Sequence, residues 1–96
     1  MRNLYLVCYD IMDPKRLSKT FKTLKGFGEH SQYSVFLCHL NAKEKILLNA
    51  ALLELINIRE DRILIANLGP SEGTSKDRIE TFGVHAPPEE PFPVIV

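Results

Sequence analysis

The chain has no excess of either charge: 12 Lys and Arg stand against 12 Asp and Glu. This balance excludes a protein that coats nucleic acid by bulk charge, although a local basic stripe stays open. No apolar run approaches the roughly 20 residues that a bilayer-spanning helix needs. The run after Arg2 is cut by Asp10 and has no small-residue cleavage site, so neither a membrane partner nor a secretory leader is expected and the reading is cytoplasmic. Cysteine is scarce; Cys8 and Cys38 both lie inside apolar runs, where a free thiol behaves as a small buried hydrophobe. His30, His39 and His85 are scattered with no Cys or His at zinc-like spacing, which argues against a structural zinc site. A glycine-rich phosphate loop and a nucleophile elbow are also missing. What remains is 96 residues, 45% apolar and 25% charged, enough for one folded domain with a single core.

The order of elements is legible. Residues 3–10 (NLYLVCYD) form a short apolar run suited to a buried strand. Asp13 before Pro14 reads as an N-cap with proline at the first helical position, and Leu17, Phe21 and Leu24 recur at helical spacing, giving a helix over 14–25. Gly26 and Gly28 end it. "EHSQYSVFLCHL" then reads as a short strand, a kink near Gln32 and a stronger strand over 34–40. Asn41 with Glu44 resembles a capping box and opens a second helix with Ile46, Leu47, Ala50, Leu53 and Ile56 on one apolar face. Residues 61–69 (DRILIANLG) supply the next strand. The order β-α-β-β-α-β predicts an α+β fold, a ferredoxin-like sandwich over 1–69. Residues 70–96 are read as a C-terminal strand (IETFGV) and a Pro-rich extended arm, completing the same domain or pairing with a partner.

In such a sandwich the helices cover one sheet face, so strands should alternate apolar and polar. These do not. Leu4, Leu6 and Cys8 oppose Tyr5, Val7 and Tyr9; Phe36, Cys38 and Leu40 oppose Val35 and Leu37; Ile63 and Ile65 oppose Leu64, Ala66 and Leu68. Both faces are apolar, and a patch of that size is expected to be covered. A second copy of the sheet, packed sheet-to-sheet in a two-fold homodimer, is the expected cover, with the folded-back C-terminal segment as the alternative.

Lys15, Lys19 and Lys22 fall at i, i+4 and i+7, with Arg16 and Lys25 beside them and no acid between 14 and 28. Such a run is a solvated helix face or, this near Asp10, a phosphate-binding stripe; the planar fork of Arg16 suits phosphate well. Asp10 is either a turn residue or a metal ligand. One carboxylate is too few for a full cage, yet magnesium often takes one or two and fills its shell with water and substrate phosphate. Two-fold pairing would bring two such carboxylates together and allow metal-assisted hydrolysis of a phosphodiester. "KGFG" at 25–28 begins like an RNA-recognition signature, but Glu29, His30 and Ser31 follow where stacking aromatics are needed.

"YLVCYDI" at 5–11, "PKRLSK" at 14–19, "GEHSQYSVF" at 28–36 and the "DRILIANLG" strand, in that order, resemble the CRISPR-associated protein 2 family, the small component of the spacer-acquisition machinery of CRISPR-based antiviral defence. The resemblance implies a ferredoxin-like homodimer with Asp10 as the catalytic, magnesium-binding residue near the dimer axis. It also implies nucleic-acid contacts at Arg16, Ser34 and Phe36, with Lys15 and Lys19 added from the basic stripe. Some members look like metal-dependent endonucleases on single-stranded RNA or double-stranded DNA; others look like non-catalytic scaffolds that bridge integrase subunits and bind DNA. A small-molecule-sensing domain on the same fold is a more distant third, for which the sequence offers no pocket.

Overall fold

The computed structural model describes residues 1–73 and 75–83. Strand β1 (Asn3–Asp10) is followed by helix α1 (Pro14–Lys25), strands β2 (Glu29–Gln32) and β3 (Val35–Leu40), helix α2 (Ala42–Leu55) and strand β4 (Arg62–Pro70). The sheet order is β2-β3-β1-β4 and every pairing is antiparallel. This is the ferredoxin-like arrangement, with both helices on one face.

Local chemistry sets the helix starts. Asp13 caps α1 by accepting from the Arg16 amide at 3.0 Å, with Pro14 at the first helical position. Asn41 and Glu44 form the reciprocal box at the start of α2, each side chain accepting from the other's amide at 2.8 Å. Between sheet and helices lies the core of Val7, Tyr9, Ile11, Leu24, Phe36, Cys38, Leu40, Leu48 and Leu52. Cys38 is fully buried and burial pushes its thiol up to about 11; Cys8 is half-buried, with its thiol raised for the same reason.

The rotation of α2 departs from expectation. Leu48 and Leu52 face the core and Ile56 packs beside them, whereas Ile46, Leu47, Ala50 and Leu53 are exposed. The helix is apolar around most of its circumference, so spacing alone did not select the buried side; contact with the sheet did.

The far sheet face is apolar, as the strand patterns require. Register places Leu37, Leu6 and Ala66 in one cross-strand row and Val35, Cys8 and Leu64 in the next. All six side chains keep some exposure, Leu64 the most among the two rows' large side chains. Beyond β4, Ser75–Arg78 form a single 3-10 turn, and Arg78 donates to the Leu68 carbonyl at 3.1 Å. Ile79–Gly83 carry no strand pairing, so the strand expected over 79–84 does not form within the described residues. The arm over 85–96 lies outside them.

Candidate nucleic-acid and metal site

The site gathers at the end of the sheet where β1 finishes. Strand β1 emerges from the core through Tyr9 and places Asp10 in solvent, opposite Arg62 in the β4 register. On the other flank the Tyr9 amide donates to the Ser34 carbonyl at 3.1 Å, which stitches the β2–β3 connection to the residue preceding Asp10. Burial pushes the Tyr9 phenol up to about 12, so it stays protonated near neutral pH and cannot serve there as a base.

The acids at this end differ sharply in how their oxygens are used. Asp13 caps α1. Glu60 accepts from Arg16 Nη2 at 2.8 Å. Asp61 accepts four hydrogen bonds: from the Met12 amide at 3.0 Å, the Asn57 amide at 2.8 Å, Arg16 Nε at 2.8 Å and Arg16 Nη2 at 3.2 Å. Among the described residues, no hydrogen bond or ion pair engages the carboxylate of Asp10. The turn-residue reading of Asp10 required bonds to nearby backbone amides, and these go to Asp13 and Asp61 instead.

Lys15 and Lys19 lie on the solvent face of α1, as does Lys22, so the basic stripe is available along the helix that begins four residues after Asp10. Arg16 is placed differently. Its guanidinium is clamped by Asp61 and Glu60 and its side chain is only 24% exposed. The hydrogen bonds to Asp61 and Glu60 raise its pKa further, and those to Arg16 hold Asp61 well below the usual carboxylate range, at about 2. Arg16 therefore ties α1 to the turn before β4, and a phosphate would have to displace two carboxylates to reach it.

Ser34 is half-buried in the β2–β3 connection. Phe36 is fully buried, with its ring 5.5 Å from Phe21 and 6.2 Å from Tyr9 between centroids. It has no surface to offer a nucleic acid and supports the site from beneath. Sequence reasoning missed Asp61; the available signal was an arginine in the first turn of a helix whose nearest acid, Asp13, is already committed to the helix cap.

Among the described residues, no group of three or more His, Cys, Asp or Glu is arranged to hold a metal. The donor set is one uncommitted, solvent-facing carboxylate. That fits a hard cation keeping most of its water and binding substrate phosphate, and does not fit an all-protein cage. No helix of the described residues is long and apolar enough to cross a membrane.

Comparisons with known proteins agree with this architecture. Residues 2–74 match the family model described as CRISPR associated protein Cas2. The chain is 42% identical over 83 residues to the CRISPR-associated endoribonuclease Cas2 of Geobacter sulfurreducens, covering 86% of each chain. The crystal structure of Streptococcus pyogenes Cas2 at pH 6.5 superposes with a TM-score of 0.73 at 30% identity, covering 83% of this chain and 99% of that one. A hypothetical protein, TT1823 from Thermus thermophilus, superposes with a TM-score of 0.74 at 34% identity, covering 93% and 100%. With its sheet order, its strand-end aspartate and these matches taken together, the chain belongs to the CRISPR associated protein Cas2 family.

Proposed function

We propose that this chain is a magnesium-dependent endonuclease that hydrolyses phosphodiester bonds, acting as a homodimer in the spacer-acquisition stage of CRISPR-based antiviral defence. The observation that carries the reading is the state of Asp10: exposed, at the end of an apolar strand, with its carboxylate uncommitted while neighbouring acids are spent on caps and ion pairs. The endoribonuclease name of the Geobacter sulfurreducens relative supports RNA as a substrate. Bound at Asp10 and its counterpart in a second copy, a magnesium ion would supply Lewis-acid polarisation of the phosphodiester and a more acidic water.

This chain's own residues supply the rest. The two apolar rows on the sheet face that the helices leave open among the described residues favour a second copy as their cover. Lys15 and Lys19 bind substrate backbone beside Asp10, since ammonium groups hold phosphates without regard to base. Asp61 and Arg16 hold the β1–α1 loop at Met12, so that Asp10 is presented by a fixed strand end.

A second reading has its own support. The exposed apolar side chains of α2, Ile46, Leu47 and Leu53, are a surface for a protein partner, as a non-catalytic adaptor bridging integrase subunits would need. The two readings separate on one assay: cleavage of labelled single-stranded RNA and duplex DNA in magnesium by wild type and by Asp10→Asn, with folding and dimerisation of both checked. Cleavage by the wild type alone is expected. Equal cleavage by both would place the chemistry elsewhere, and none from either would leave the adaptor.

A further inference from the structure

The connection between β2 and β3 breaks a local rule. Gln32 pairs with Val35, so only Tyr33 and Ser34 form the turn. Two-residue hairpin turns favour Gly, Asn or Asp where φ is positive. Here that position is Tyr33, with φ 37°, a region in which a bulky side chain is strained. Packing does not compensate, because Tyr33 is 65% exposed. Neither backbone preference nor burial accounts for an aromatic residue at this place.

The turn is nonetheless held firmly. His30 Nε2 bonds the Tyr33 carbonyl at 2.6 Å, and the His30 ring packs against both Phe21 and Phe36, at centroid distances of 5.0 Å and 5.1 Å. The next carbonyl, that of Ser34, accepts from the Tyr9 amide. Tyr33 is thus an exposed aromatic ring on a braced turn, next to Ser34, whose carbonyl is bonded to the strand that ends in Asp10.

We propose that Tyr33 is a stacking platform for an unpaired base, selecting single-stranded over duplex nucleic acid at the Asp10 end of the sheet. This rests on the reading of that end as a nucleic-acid site. Unstacked bases are the part of single-stranded RNA that a protein reads most readily, and an aromatic face accepts any of them. A duplex keeps its bases stacked internally and has none to give. Strain at the turn then has a counterpart in binding, as local rule-breaking at functional positions generally does.

The test is fluorescence anisotropy on the dimeric protein in EDTA, so that no cleavage intervenes, with a short mixed-sequence single-stranded RNA and the duplex of the same sequence. Tyr33→Gly is expected to weaken single-strand binding by ~5- to ~160-fold, the range found for removing one base–aromatic stack. Tyr33→Phe keeps the ring and the affinity, and duplex binding does not change in either variant. Glycine also relieves the positive φ, so the urea midpoint of Tyr33→Gly should equal or exceed that of the wild type; a binding loss with undiminished stability is not an unfolding artefact. Single-strand affinity of Tyr33→Gly within about twofold of wild type, an equal loss on the duplex, or no single-strand binding by the wild type would each overturn the proposal. Cleavage by Asp10→Asn in magnesium is read separately. A binding loss in Tyr33→Gly with unaltered cleavage in Asp10→Asn keeps the platform and removes Asp10 from the chemistry; the reverse pair of results removes the platform alone.

Discussion

Replacing Asp61 with asparagine tests whether one buried carboxylate joins the three segments that frame the site. Its side chain has no exposed surface and accepts from the Met12 amide, the Asn57 amide and two nitrogens of Arg16. Asparagine offers a single acceptor oxygen and turns an NH2 group toward donors, so at least one backbone N–H loses its partner, a cost of about 1–3 kcal/mol. The charge-assisted bonds become neutral as well. Water can reach the exposed Met12 and Asn57 backbone, and Glu60 still holds the guanidinium, so the sum is held to about 2 kcal/mol. At a slope of roughly 1 kcal/mol per molar urea for a chain of this size, the midpoint should fall by roughly 2 M at fixed protein concentration.

The acid side gives an independent check. The folded pKa of Asp61 is depressed from 3.8 to about 2, so its contribution is fully present above pH 3.8 and is lost as the pH falls through about 2. The linkage ceiling for that shift is about 2.4 kcal/mol, and solvent screening around the exposed Glu60 reduces it to ~1–2 kcal/mol. The gap between wild type and Asp61→Asn should therefore be constant near neutral pH and narrow once the pH drops below 3.8. A neutral-pH midpoint within roughly 0.3 M of wild type, or a gap that does not change with acid, would refute the reasoning.

Three further outcomes are expected. Gly28→Ala would drive a Cβ to within 2.4 Å of the Leu37 carbonyl oxygen and 2.5 Å of Cys38 Sγ, so urea denaturation should show a loss of about 3 kcal/mol, as overpacking does. Thr20→Val should raise stability by about 1 kcal/mol in the same assay, because the Thr20 hydroxyl is buried without a hydrogen-bond partner. Changing Lys15 and Lys19 together to alanine should weaken RNA binding about equally across sequences and reduce the salt dependence of log K by about 1 unit per lysine contacting phosphate. A salt slope identical to that of the wild type would remove both from the interface.

The parts of the molecule that could be read from sequence are those whose causes lie a few residues apart. The cap of Asp13 on the Arg16 amide and the box of Asn41 and Glu44 each act across three residues, and the helices begin where those residues predict. β1 ends at Asp10 as its apolar run does, and the unbroken apolar patterns of β1, β3 and β4 foretold a sheet apolar on both faces. Asp10 stood out because a carboxylate closing such a strand is chemically isolated.

Tertiary structure decided what depends on segments far apart in the chain. Arg16 meets Asp61 across 45 positions, so its first-turn placement beside lysines concealed that it is neutralised. α2 is apolar on most sides, and only contact with the sheet chose Leu48 and Leu52 over Ile46 and Leu53 for burial. The family resemblance implies that Phe36 contacts nucleic acid, but strand alternation points it into the helix-covered layer. The left-handed turn at Tyr33 follows from the pairing of Gln32 with Val35, which no local preference of tyrosine would favour. Sequence alone determined the caps, the succession of elements along the chain and the aspartate that closes an apolar strand, because local hydrogen bonds and side-chain period are properties of neighbouring residues. Folding decided which charges remain unpaired and which apolar faces remain open, because pairing and burial are set by whatever the rest of the chain brings alongside.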